Sequence, residues 1–91
     1  MAISVFFPEA NFTAKQYAEV IKRLEKAGAG TPKGRLHHTC FGDVTNLQVY
    51  DVWESQETFA KFGETLLPIM AEVGYKPPTP IFSPVHNIIR G

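Results

Sequence analysis

The sequence predicts a ferredoxin-like α+β fold, βαββαβ, with four antiparallel strands in one sheet and two helices on one of its faces. Three observations lead there. The hydrophobic period changes along the chain from strand to helix, to two consecutive strands, to helix, to strand, which is the order of a split βαβ arrangement. The two central strands are joined through Gly42-Asp43-Val44-Thr45-Asn46, the composition of a hairpin loop. The last strand contains Pro84, which is tolerated only at a sheet edge or a bulge. A split βαβ sheet has the spatial order four, one, three, two, and that order already puts the last strand at an edge.

Residues 2–7, AISVFF, are β-branched and aromatic and are closed by Pro8, as expected of a first strand buried on both faces. Thr13 with Gln16 three residues later reads as a capping box, and Phe12 and Tyr17 fall at the positions of a hydrophobic staple. Tyr17, Val20, Ile21 and Leu24 then recur at helical spacing, while Lys15, Glu19, Lys22, Arg23 and Lys26 lie on other faces as a solvated surface. Gly28 or Gly30 ends this helix.

Residues 35–41 and 47–53 form the hairpin strands. Ser55 is the N-cap of the second helix and Glu57 lies in its first turn, where the macrodipole favours an acid. Phe59, Phe62, Leu66, Ile69, Met70 and Val73 make its apolar stripe. Pro68 lacks the amide hydrogen that would bond the carbonyl of Glu64, so a kink or restart is expected there. Gly74 is the expected C-cap, residues 76–80 are a stiff extended connection, and residues 81–89 are the edge strand.

At 91 residues the chain is a single domain, 1–91, with a thin core, so association with a second copy is expected. Nine basic residues balance nine acidic ones and no segment concentrates Lys or Arg, which argues against a nucleic-acid partner. Cys40 is the only cysteine, so neither an internal disulfide nor a multi-thiolate zinc site is available, as suits a cytoplasmic protein. The apolar stretch at residues 2–7 is too short for a signal peptide or a membrane span.

Most of the chemistry-bearing side chains fall in the hairpin. Alternation puts His38 and Cys40 on one face and His37, Thr39 and Phe41 on the other; on the facing strand Leu47, Val49, Asp51 and Trp53 oppose Gln48, Tyr50 and Val52. A loop symmetric about Val44 sets His37 across from Asp51, whereas a register shifted by one residue sets His38 there. A carboxylate beside an imidazole orients it and favours its protonated form, the arrangement used in general acid or base catalysis, so His38 and Asp51 are the catalytic candidates. The competing reading is a satisfied polar pair at an interface. His38 and Cys40 stand about 6.6 Å apart by strand rise, too far for direct proton transfer. Trp53 and Tyr50 offer flat apolar faces for a planar ligand, with core packing as the bland alternative, and His86 could orient a substrate hydroxyl. The histidines lie on separate strands with no carboxylate at a ligand spacing, so no metal site is expected.

The stretch Tyr50-Asp51-Val52-Trp53-Glu54-Ser55-Gln56-Glu57-Thr58-Phe59 resembles the strand-to-helix signature of dimeric α/β-barrel proteins of the antibiotic-biosynthesis-monooxygenase type. In that signature an acid is followed two residues later by an aromatic, then by a Ser or Asp cap and a helix carrying Glu and an apolar residue; Asp51, Trp53, Ser55, Glu57 and Phe59 fill those places. The resemblance implies a homodimeric α/β barrel and, as function, a cofactor-independent monooxygenase-like enzyme acting on an aromatic or polyketide-like molecule. Helix two in many such proteins has a His about nine residues beyond the aromatic, and here that place is taken by Phe62, which speaks against haem degradation. The pattern GRLHH, YDVWES, PVHN resembles the uncharacterised branch of the superfamily, and no cofactor is expected. The alternative is a non-catalytic binding or structural module whose His and Asp residues stabilise the dimer.

Overall fold

The computed structural model describes residues 1–8 and 11–91. Its elements are β1 (Ile3–Phe7), α1 (Ala14–Lys26), β2 (Arg35–Asp43), β3 (Asn46–Trp53), α2 (Gln56–Glu72) and β4 (Ile81–Pro84). The strands form one antiparallel sheet in the order β2-β3-β1-β4, the expected order read from its other end. The closed barrel expected from the family resemblance is not present. The sheet is open, with β2 and β4 as its edges, because four strands are too few to curl round and pair edge to edge.

Both helices lie over one face of the sheet. The core between the layers contains Val5, Leu47 and Trp53 from the sheet, Val20 and Leu24 from α1, and Phe62, Leu66, Ile69 and Met70 from α2. In α1 the capping box forms: the Thr13 hydroxyl accepts from the Gln16 amide at 3.1 Å, and the Gln16 side chain accepts from the Thr13 amide at 3.0 Å. The staple forms as an edge-to-face contact of Phe12 and Tyr17. These local interactions fix how α1 leaves the loop, and hence where Tyr17 sits over the sheet.

α2 runs through Pro68 without interruption. Pro68 is on the exposed side of the helix, where the Glu64 carbonyl that loses its amide partner can bond water. The helix ends in a Schellman motif: Tyr75 N–H donates to Met70 at 2.9 Å and Gly74 N–H to Ala71 at 3.0 Å, with Gly74 at φ 78°. This stop turns Tyr75 inward, where its ring stacks on Phe12 with centroids 4.1 Å apart.

Two differences in the strands reposition the candidate residues. The hairpin turn is the two residues Val44 and Thr45, closed by Asp43 opposite Asn46, rather than the five residues 42–46. An Asx turn stabilises it, with the Asp43 carboxylate accepting from the Thr45 amide at 2.9 Å and hydroxyl at 2.8 Å. The last strand stops at Pro84 instead of reaching residue 89, since beyond it Val85 bonds the Ala2 carbonyl and no ladder continues.

Gly34 leads into β2 at φ 93°, and its carbonyl accepts from the Glu54 amide at 2.7 Å. A Cβ on Gly34 would lie 2.6 Å from Thr58 Cβ, an atom fixed to the α2 backbone. Gly34→Ala is expected to destabilise the domain by about 2–4 kcal/mol, combining a left-handed backbone cost with overpacking. Urea unfolding measures this directly, and a loss below about 1 kcal/mol would contradict the close approach.

Candidate functional site

The two-residue turn sets the hairpin register, and that register pairs His38 with Asp51. A β-bulge at Leu36 then shifts the ladder by one residue, so that Arg35 pairs with Trp53 while His37 pairs with Val52. Without the bulge, alternation would put Arg35 and His38 on opposite faces. With it, both face the helices and line the same cavity.

Four side chains from three elements form one hydrogen-bonded chain. His38 Nδ1 is 2.6 Å from Asp51 Oδ1, and His38 Nε2 is 2.7 Å from Tyr17 Oη. Trp53 Nε1–H donates to Asp51 Oδ2 at 3.1 Å. The Asp51 carboxylate thus accepts on both oxygens, which assigns the proton of a neutral imidazole to Nδ1 and leaves the Nε2 lone pair to accept from the Tyr17 hydroxyl. Asp51 is 4% exposed, the one charged residue in the core of the described chain. Its burial is offset because both oxygens are paired.

The chain of hydrogen bonds ends on a small, partly open cavity of about 50 Å³ between the sheet and the helices. Tyr17, Arg35, His38 and Asp51 supply its polar wall, and side chains including Phe12, Leu24, Phe62 and Met70 supply the rest. The volume exceeds the roughly 10–15 Å³ needed to hold one water but is far below the roughly 300–1,000 Å³ of a whole-ligand pocket. Only the reacting end of a larger molecule fits inside.

Burial, followed by the fields of Cys40 and Asp51, pushes the Tyr17 phenol above its ordinary range, against an opposing pull from Arg35. Tyr17 therefore stays protonated at neutral pH and can pass a proton without becoming a lasting anion. Burial also raises the thiol of Cys40 and the phenol of Tyr75, which makes Cys40 a poor nucleophile. In all three groups the folded state holds the proton more tightly than the unfolded chain. Their contribution is complete below the unfolded values, about 8.5 for the thiol and about 10 for the phenols, and is lost as pH rises through the folded ones. Thermal midpoints are thus expected to fall as pH rises above about 8.5, with a shallower fall in Tyr17→Phe. Superimposable profiles for the two proteins would remove the Tyr17 share.

Of the residues singled out from the sequence, the structure brings together His38, Asp51 and Trp53. Trp53 is fully buried, packs on Phe59 and Phe62, and reaches the cavity only through Asp51. Tyr50 is on the opposite face of the sheet, edge-on to His37, and His86 is exposed beyond the end of β4. His37 bonds the hydroxyl of Thr39 on that same outer face. Tyr17 and Arg35 also belong to the site; from the sequence Tyr17 is open to either a pocket or a core role, and Arg35 has no assigned role. Tyr17 carried a signal, since a phenol within an apolar helical stripe needs a polar partner when it packs down. The placement of Arg35 depends on the bulge, which has no mark in the sequence.

No protein-family model matches the chain, and no curated protein matches it. Solved structures do share its fold. SnoaB from Streptomyces nogalater, described as a cofactor-independent oxygenase, is 12% identical with a TM-score of 0.62, over 99% of this chain and 96% of its own. A proposed antibiotic biosynthesis monooxygenase from Chloroflexus aurantiacus is 14% identical with a TM-score of 0.61, over the whole of both chains. The protein YjcS is 11% identical with a TM-score of 0.65, over 94% of this chain and all of its own. The chain is thus similar to antibiotic-biosynthesis-monooxygenase-like, ferredoxin-like proteins at the level of the fold. No described helix is long and apolar enough to cross a membrane.

Proposed function

We propose that this protein is a cofactor-independent, monooxygenase-like enzyme that binds a phenolic aromatic molecule, with His38 and Asp51 moving the proton. The observation that carries the reading is the Asp51–His38–Tyr17 chain ending on the cavity wall. A substrate hydroxyl at the cavity would give its proton to Tyr17 Oη as Tyr17 gives its own to His38 Nε2, and Asp51 would stabilise the imidazolium. Arg35, on the same wall, favours the phenolate left behind. An electron-rich phenolate can reduce dioxygen directly. If the oxidised carbon passes from methylene to carbonyl, one dioxygen supplies the carbonyl oxygen and leaves as one water, so no external reductant is required.

The likeness in fold to an oxygenase that works without a cofactor supports this class without specifying the substrate. Trp53 contributes by holding Asp51, while Tyr50 lies too far round the sheet to touch a ligand in this cavity. A homodimer is part of the proposal: the helix-free sheet face exposes Leu36, Phe41, Tyr50 and Ile81, an apolar area that a second copy would cover. Residence in the cytoplasm rests on the single unpaired cysteine.

One observation favours the alternative of a non-catalytic binding or structural module. Both nitrogens of His38 are already paired within the protein, so the network could serve only to fasten α1 to the sheet. Oxygen uptake with a panel of phenols, in the presence of a chelator and with no added cofactor, separates the two. Uptake that follows protein concentration is expected. Its absence across the panel, in a protein that is folded and dimeric by light scattering, would leave the structural reading.

A further inference from the structure

The inner cavity has a neighbour along α2. A second depression, a groove of about 440 Å³, runs between α2 and the Pro-rich segment 77–80, and it shares Phe7, Leu66, Met70, Pro77 and Pro78 with the wall of the inner cavity. Those side chains form a wall common to the two spaces, with Pro77 and Pro78 crossing the boundary as a stiff strap. Their walls are chemically opposite in one respect. Tyr17, His38 and Arg35 line the inner space and are absent from the outer one, whose walls are largely apolar and include the exposed Leu67.

Gly63 strengthens the connection. It lies inside α2, where glycine weakens a helix by about 1 kcal/mol relative to alanine. No packing contact requires it, since a Cβ there would meet nothing within 4 Å. It lines the groove, and the missing side chain leaves the floor open.

We propose that the substrate is an elongated amphiphile, a phenol carrying an apolar tail, whose hydroxyl enters the inner cavity at Tyr17 and whose tail lies under Pro77 and Pro78 in the groove floored by Gly63. The proposal rests on the proton-transfer reading of the inner cavity for its head group. The tail follows from volume: the inner space takes only the reacting end, and the adjoining groove is about nine times larger.

Calorimetric binding of 4-alkylphenols from butyl to octyl tests it. Each added methylene is expected to tighten binding about threefold to fourfold as the tail fills the groove. Gly63→Phe, whose Cβ meets nothing within 4 Å and whose ring would fill the groove, should abolish that gain and flatten the series. Leu67→Glu, at an exposed position on the groove wall, is the second variant and should weaken octylphenol selectively. Affinity that does not change with chain length, no binding across the series, or a length dependence unaffected by both variants would overturn the proposal. Binding is read without turnover, so a steep length dependence with no oxygen uptake would reject the enzyme and keep the groove. Uptake with a flat series would do the reverse.

Discussion

Asp51→Asn is expected to reduce turnover of a phenolic substrate by about 10²–10⁴-fold while leaving the fold in place. The reason is the tautomer it imposes. An asparagine that keeps the bond from Trp53 Nε1–H must use its carbonyl oxygen there, so its amide group faces His38 Nδ1 and donates. The imidazole proton then moves to Nε2, which donates to Tyr17 Oη, and the lone pair that should accept a proton points away from the cavity. Every group remains hydrogen-bonded, so the stability cost is only about 1 kcal/mol. His38→Ala should fall to the same residual rate, and the double variant should fall no further, because the two residues act as one unit. Nitrogen NMR of the imidazole reads the tautomer independently of activity. Full turnover in Asp51→Asn would reject His38 as the base. Loss of the dimer in His38→Ala would instead make the pair a structural one.

The parts of the fold set by hydrophobic period were legible in the sequence. The order of elements, the capping box at Thr13 and the edge position of the Pro84 strand all depend on local chemistry that each segment carries with it. The hairpin register was not, because Gly42, Asp43 and Asn46 have loop-like composition yet are paired in the ladder, leaving Val44 and Thr45 as the turn. One residue of register decides whether His37 or His38 faces Asp51, and the bulge at Leu36 makes a second such decision for Arg35. The alternation that puts Asp51 beside Trp53 also puts Tyr50 on the opposite face, so period two alone separates Tyr50 from the cavity. Barrel closure was expected by likeness to a family, and the strands of this chain do not provide it.

Trp53→Ala is expected to cost about 4–6 kcal/mol, which for a domain of this size approaches the whole of its stability, roughly 5–14 kcal/mol at typical values per residue. The indole is fully buried at the end of β3 and packs on Phe59 and Phe62, so truncation leaves a cavity that the sheet on one side and α2 on the other cannot both close. The same change strips Asp51 Oδ2 of its donor in a site that is 4% exposed, adding the cost of an unpaired carboxylate oxygen to that of the void. Trp53→Phe separates these contributions. It restores most of the volume and none of the N–H, so its loss should be about 1–3 kcal/mol and should reflect chiefly the hydrogen bond. Denaturant unfolding of both variants gives the comparison. A phenylalanine variant as stable as the wild type would mean that the indole N–H does nothing for Asp51, and Trp53 would then belong to the core without belonging to the site.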